Sequence, residues 1–245
     1  MSEHDHTKRA FLRNLCCGSA ALGATFAGSN TVFAATGKKT TLTPGEALKL
    51  LKDGNANFLT DSPLRAAQGR ERRLEIARNQ APIAVLVSCS DSRVPPELLF
   101  GRGLGELFIV RNAGNTVDTV ALGSIQYAVA ELGVPLIVVM GHERCGAVDA
   151  ALGVVEKNIT YPGSIGQMIE PIIPAVLRAR AAVDASKPYD RDAVLDSAVR
   201  ENVRRVATRL RTSEPLLIEP LQQKRLLIVG ARYDLDDGSV EFFDS

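Results

Sequence analysis

The chain has 245 residues, 45% hydrophobic and 23% charged, which suits one globular domain with its own core plus an N-terminal segment. Its 29 basic and 28 acidic residues give a formal charge of +1. Without residues 1–34 there are 26 of each sign, so charge gives no reason to expect nucleic acid or an anionic membrane as partner.

The chain opens on Lys8, Arg9 and Arg13, continues through uncharged residues 15–27, and reaches the small-residue stretch Val32-Phe33-Ala34. That basic, apolar, small-residue order is the plan of a cleavable export signal. Its apolar part is too short, and too rich in Gly and Ala, to span a bilayer as a stable helix. We therefore expect residues 1–34 to be removed and residues 35–245 to form a single exported domain, in a bacterial periplasm, with no stable membrane insertion afterwards. The opening resembles a twin-arginine signal with Lys8 in place of the first arginine, and the general secretory route would accept much the same segment. Cys16 and Cys17 open the apolar region instead of closing it, which argues against a lipoprotein site.

Thr43-Pro44-Gly45-Glu46 offers an N-cap, a proline at the first helical position and an acid at the third. It predicts a helix through Leu48 and Leu51 that Gly54 ends or bends. A second helix is expected over residues 71–78, its arginines forming a solvated face. Ile83 to Ser88 is then an apolar run the length of a buried parallel strand, and it ends in Cys89, Asp91 and Arg93. Another strand is expected over residues 106–111, followed by a small-residue loop over residues 112–115. Asp118 or Thr119 caps a helix that presents Ala121, Leu122, Ile125, Ala128, Val129 and Leu132 on one face, and Gly133 stops it. Tyr127 falls off that stripe.

A second apolar run, Leu136 to Gly141, ends in His142, Cys145 and Gly146. The helix expected to start at Gly146 directs its N-terminal N–H groups and dipole toward Cys145, favouring the thiolate. Ile165, Met168, Ile169, Ile172, Val176 and Leu177 recur at helical spacing as a core stripe that Pro171 and Pro174 must bend or break. A long helix with a solvated arginine face is expected over residues 190–211. Residues 226–230 form a last buried strand, and Asp237-Gly238 turns the chain into an edge strand over residues 239–243. Apolar strands alternating with helices make this an α/β chain: a central, mostly parallel β-sheet flanked by helices.

Loops leaving the carboxyl ends of neighbouring parallel strands share one crevice, where Cys89, His142 and Cys145 can meet. Two thiolates and an imidazole are ligands zinc favours, and three protein ligands leave a fourth position open, as in a catalytic site. The plain alternative is a pair of buried thiols and a loop histidine. A redox dithiol is disfavoured, because the cysteines are far apart in sequence and no Cys-x-x-Cys spacing joins them.

The Cys89-Ser90-Asp91-Ser92-Arg93 stretch, the later Gly141-His142-x-x-Cys145-Gly146 and the intervening Val110-Arg111-Asn112-Ala113-Gly114-Asn115 resemble the β-class carbonic anhydrases. The similarity runs from about Thr43 to the C-terminus. It implies reversible hydration of carbon dioxide to bicarbonate and a proton at one Zn2+ per subunit, held by Cys89, His142 and Cys145. Asp91 and Arg93 are implied as the catalytic pair, with Asp91 a fourth zinc ligand in a closed state only. Gln80, Phe108, Ala113, Tyr127 and Gly146 are implied as substrate-binding positions, with Ala113 standing where valine is usual. The N-terminal helices are expected to pack on a partner subunit in a homodimer or a dimer of dimers. Two other activities fit the same scaffold: hydrolysis of carbon disulfide or carbonyl sulfide, and zinc and bicarbonate binding without turnover. Asp91 at a strand end beside two thiolates would have its pKa raised by burial and like charge, and Arg93 offers the compensating cation.

Overall fold

Five strands form one sheet, and the computed structural model describes the chain over residues 39–60, 67–212 and 214–243. The export segment expected over residues 1–34 lies outside the described residues. In chain order the described elements are α1 (Pro44–Leu59), α2 (Arg70–Ile76), β1 (Ala84–Ser88), α3 (Pro96–Leu99), β2 (Leu107–Arg111) and α4 (Thr119–Ala130). They continue with β3 (Leu136–His142), α5 (Gly146–Lys157), α6 (Gly163–Ile169), α7 (Ile173–Ala181) and α8 (Arg191–Thr212). The last are α9 (Pro215–Gln222), β4 (Leu227–Tyr233) and β5 (Val240–Phe243). The strand order is β2-β1-β3-β4-β5, parallel throughout except for β5, which runs antiparallel to β4.

β1 and β3 are buried at every position, as central strands covered on both faces must be. Alternation then divides the sheet. Val85, Val87, Ile137, Val139 and Ile228 face a layer built on α4 and α8, while Leu86, Leu136, Val138, Met140 and Val229 face Ala47, Leu51, Leu99 and Phe100 of the opposite layer. Each fully buried Leu, Ile or Val contributes roughly 1.5–3 kcal/mol, so the sheet centre is the firmest ground in the molecule. The register places Ser88 opposite Met140 on one side and Arg111 on the other. Cys89 therefore leaves the sheet between the last residues of β3 and the end of β2.

The capping box of α1 forms as its sequence predicts. Thr43 Oγ1 accepts from the Glu46 N–H at 3.3 Å, and Glu46 Oε2 accepts from the Thr43 N–H at 2.8 Å. Gly54 does not end the helix, which runs on to Leu59. Its missing side chain serves a close approach, since a Cβ there would lie 2.0 Å from the Phe100 carbonyl oxygen. Asp118 is the cap of α4, accepting from the Ala121 N–H at 2.8 Å, and Gly133 follows the helix at φ 69°.

Pro171 and Pro174 do interrupt the helical run after Gly163. α6 ends at Ile169, a 3-10 turn covers Glu170–Ile172, and α7 restarts at Ile173. The break also divides the expected stripe. Ile169, Ile172 and Val176 are buried and Met168 packs against them, whereas Ile165 and Leu177 are 51% and 53% exposed. α9 is not among the elements expected from the sequence, because Pro215 and Pro220 obscure its helical pattern; Pro215 fits at the helix start, where its missing N–H costs nothing. No helix among the described residues is long and apolar enough to cross a membrane.

Candidate metal centre

Cys89 follows β1, His142 ends β3 and Cys145 is the N-cap of α5. The parallel register therefore brings Cys89 to the same edge of the sheet as His142 and Cys145, which lie 53 and 56 residues further along the chain. All three are buried, at 5%, 0% and 1% exposure. Their ligand atoms lie within 4.8 Å of one another, and the two Sγ atoms are 3.9 Å apart. Zn–S bonds of about 2.3 Å in a tetrahedron require an S···S separation of about 3.8 Å, so the pair is already at metal-binding distance.

His142 Nδ1 lies 2.9 Å from the Glu143 carbonyl, which assigns the ring proton to Nδ1 and leaves Nε2 as the acceptor. Buried polar atoms are nearly always satisfied, yet Nε2 has no hydrogen-bond partner. An acceptor nitrogen buried beside two thiols fits a soft or borderline cation such as zinc.

Without a metal the two thiols share one negative charge. The Cys145 S–H lowers the pKa of Cys89, against the opposing effect of burial. Cys145 is pushed up, first by its hydrogen bond to Cys89 and then by burial. The N–H groups of Ala147 and Val148 lower it as expected at a helix start, but they are outweighed. A divalent cation removes that conflict by neutralising both thiolates at once.

Asp91 is held by three hydrogen bonds from one residue. The Arg93 main-chain N–H and Nε–H donate to Oδ1, both at 2.9 Å, and Nη2–H donates to Oδ2 at 2.8 Å. Arg93 accordingly holds the Asp91 carboxyl well below the usual carboxylate range, overcoming the desolvation that would raise it. The expected conflict between burial and the arginine is thus resolved in favour of the arginine. Asp91 Oδ2 is 3.8 Å from His142 Nε2, but Asp91 does not join the set of mutually close ligand atoms.

Residues given no role from the sequence hold this arrangement. Arg111, at the end of β2, donates from Nε to the Cys89 carbonyl at 2.8 Å and from Nη2 to the Asp91 carbonyl at 2.6 Å. One side chain thus fixes the backbone of both residues. An arginine closing an apolar strand is the signal that could have found it. On the other side, Arg144 takes φ 50° and pairs with Asp236 at 3.0 Å through Nη1, while Glu143 Oε2 accepts from the Leu235 N–H at 3.2 Å. The turn between β4 and β5 therefore anchors the loop that carries His142 and Cys145. Glu143, Asp234 and Asp236 lie close together, but Arg144 and Arg232 pair with them, which makes the cluster an ion-pair network.

The implied substrate positions are only partly assembled within one chain. Phe108 and Tyr127 face each other with ring centroids 6.5 Å apart, and Tyr127 is 48% exposed. Ala113 opens the turn after β2 and lines a 390 Å³ cleft with Asn112, Thr116, Gln167 and Met168. A Cβ at Gly146 would meet open space. Gln80 is exposed in the segment entering β1, outside the cluster of Cys89, His142 and Cys145.

Comparison with known proteins gives a consistent result. The profile of the carbonic anhydrase family matches residues 84–240. A carbonic anhydrase of Mycolicibacterium smegmatis is 40% identical over 198 residues, covering 81% of this chain and 92% of its own. One from Pseudomonas aeruginosa is 40% identical over 179 residues, covering 69% and 76%. Among solved structures, a tetrameric β-carbonic anhydrase of Sordaria macrospora superposes with a TM-score of 0.64 at 27% identity, over 70% of this chain and 85% of that one. The β-carbonic anhydrase CafA of Aspergillus fumigatus gives 0.64 at 27% identity, over 82% and 90%.

Proposed function

Because the chain belongs to the β-class carbonic anhydrase family, and interconverts carbon dioxide and bicarbonate at zinc, we propose that Cys89, His142 and Cys145 hold that zinc. In this reading there is one ion per subunit, the site is open, and Asp91 with Arg93 forms the catalytic pair. The observation that carries it is the unpartnered, buried His142 Nε2 beside two thiols 3.9 Å apart.

Zinc in such a site supplies a Lewis acid that makes hydroxide available near neutral pH. The chain's own residues do the rest. Asp91, ionised and fixed by Arg93, accepts a hydrogen bond from the attacking oxygen and so turns a lone pair toward carbon dioxide. Since both Asp91 oxygens are engaged by Arg93, swinging onto the metal requires breaking that fork, which favours the open state. Arg111 keeps the Cys89 and Asp91 carbonyls in place while charge moves between water and bicarbonate. Phe108 and Tyr127 form an apolar wall suited to a nonpolar triatomic substrate.

The exposed edge of β2 supports a homodimer. Phe108, Val110, Val120 and Ala121 line a 280 Å³ groove along it, and Val120 is 77% exposed. We propose that a second copy covers this edge and that its approach brings Gln80 and Tyr127 into the substrate pocket; two such dimers would give a tetramer like that of the Sordaria relative. The order of basic, apolar and small residues supports removal of residues 1–34 on export to a periplasm. Mass spectrometry of protein from the native host should find an N-terminus near Ala35, and a full-length cytosolic protein would refute export.

The decisive test measures carbon dioxide hydration together with zinc content. Activity should track bound zinc at one ion per subunit. A zinc-loaded protein that hydrates no carbon dioxide would overturn the assignment of Asp91 and Arg93.

A further inference from the structure

We infer that Asn202 of α8 is a positioning residue for the Cys89 ligand, acting through the Gly114 peptide. It stands 57 residues beyond Cys145, on a helix that carries none of the proposed zinc ligands. The inference rests on the proposal that Cys89, His142 and Cys145 hold the metal.

Three contacts make the relay. The Gly114 N–H points at Cys89 Sγ, 3.3 Å away. Asn202 Nδ2–H donates to the Gly114 carbonyl at 2.8 Å. Gly114 itself is locked at φ 69°, in the left-handed region that suits glycine. The loop has no slack around it, since a Cβ on Gly114 would lie 2.6 Å from Ile172 Cδ1 and 3.1 Å from Ala147 Cβ. With Ile172 and Ala147 behind it and Asn202 holding its carbonyl, Gly114 presents its N–H in one direction.

That direction matters because a fixed N–H donor to Sγ sets where the Cys89 sulfur sits and how it is turned toward the other two ligands. Asn202 is 2% exposed. A buried amide is costly unless its hydrogen bonds are made, so a leucine or valine would be the default occupant of this helix face, as at Val199 and Val203. The asparagine makes sense where a carbonyl needs a fixed donor. A donor bonded directly to a metal ligand typically changes affinity by about 10- to 100-fold when lost; Asn202 acts one peptide further out, so its loss should cost a part of that, about three- to tenfold.

The experiment compares three variants of the full chain: Asn202→Leu, Asn202→Asp, which keeps the shape but as a carboxylate only accepts, and Leu210→Ala, all assayed at alkaline pH. Leu210 is fully buried on the same helix in the layer away from the thiols, and so reports general loss of stability. Zinc dissociation constants are measured by competition with a chromophoric chelator, and the cobalt-substituted proteins are scanned for thiolate-to-metal charge-transfer absorption. Both Asn202 variants should bind zinc about threefold to tenfold more weakly and show a shifted charge-transfer band. Leu210→Ala should keep zinc affinity and spectrum close to the parent even where its melting temperature falls as far. Either Asn202 variant with parental affinity and spectrum would overturn the inference, as would an equal loss of zinc in Leu210→Ala. If Asn202→Leu does not fold, Asn202→Asp decides alone. Weak cobalt–thiolate absorption in the parent itself would instead refute the ligand assignment on which the relay depends.

Discussion

Replacing Arg93 with alanine should leave zinc in place and remove most of the activity. Two of the three hydrogen bonds on Asp91 come from the guanidinium, at 2.9 and 2.8 Å, while the main-chain N–H bond at 2.9 Å survives the change. A charge-assisted bond contributes about 1.5–3 kcal/mol when shielded from water. The Arg93 side chain is 54% exposed, so water screens both bonds and what the fork supplies to Asp91 is chiefly direction. With two of its three bonds gone the Asp91 carboxylate can shift, and a misplacement of about 1 Å can cost about 100-fold, so kcat/KM should fall by about 10- to 100-fold. Arg93→Lys keeps the charge but loses the planar fork, and should fall near the lower end of that range.

The pH dependence gives the sign. Arg93 depresses the folded pKa of Asp91, so the ionised pair persists above the ordinary carboxylate pKa of about 3.9 and is lost only as pH falls through the depressed value. In Arg93→Ala that loss should move upward, toward about 4. Stopped-flow hydration with an indicator dye, alongside metal analysis, measures the loss of rate, and an acid titration followed by the carboxylate NMR signal measures the shift. A kcat/KM within about threefold of the parent would refute the orienting role, because the expected loss is larger than that. Loss of zinc would show instead that the pair holds the metal.

Cys89→Ser, His142→Ala and Cys145→Ser should each lose zinc and activity together, and near-stoichiometric zinc with parental turnover in any of them would remove that residue from the ligand set. Gly54→Ala should lower the melting temperature, since its Cβ would fall 2.0 Å from the Phe100 carbonyl oxygen and overpacking of this kind costs about 1–3 kcal/mol; an unchanged melting curve would mean α1 is not fixed against Phe100. Two thiolates give zinc more negative charge than three histidines do, so hydration should rise with pH through a pKa above about 7. His142 is the sole histidine among the described residues, so the saturating rate should also increase with buffer concentration; a rate independent of buffer, or already maximal at pH 6, would contradict this. Val120→Asp places a charge on a residue 77% exposed beside the edge of β2 and should give monomers with reduced activity, measured by light scattering and hydration assay. Parental assembly would show that this edge is not the interface.

The amino-acid sequence by itself determined the sheet and displayed the candidate ligands, for a local reason. Ile83 to Ser88 and Leu136 to Gly141 are apolar at every step but the last, which marks central parallel strands, and each ends in residues whose chemistry is evident from type and spacing. The Thr43 to Glu46 cap and the Asp118 cap are likewise legible, because capping joins a side-chain oxygen to a main-chain N–H only three residues away. Gly54 misleads as a helix stop, since its value lies in contact with Phe100, 46 residues on, and no local pattern records that. α9 is hidden by its prolines, and helical spacing alone assigns Ile165 and Leu177 to a core from which the Pro171 break separates them.

What only the tertiary structure decided is the support around the metal. Arg111 is meaningful because β2 lies beside β1 in a register that sets it next to Cys89. Asn202 is meaningful because α8 packs where its amide reaches Gly114. Arg93 prevails over burial at Asp91 through a fork whose angles and distances no spacing rule states. Ligand identity follows from side-chain chemistry, which a sequence displays. The direction in which a ligand is held follows from hydrogen bonds between segments distant in the chain, and these exist only once the sheet has brought the segments together.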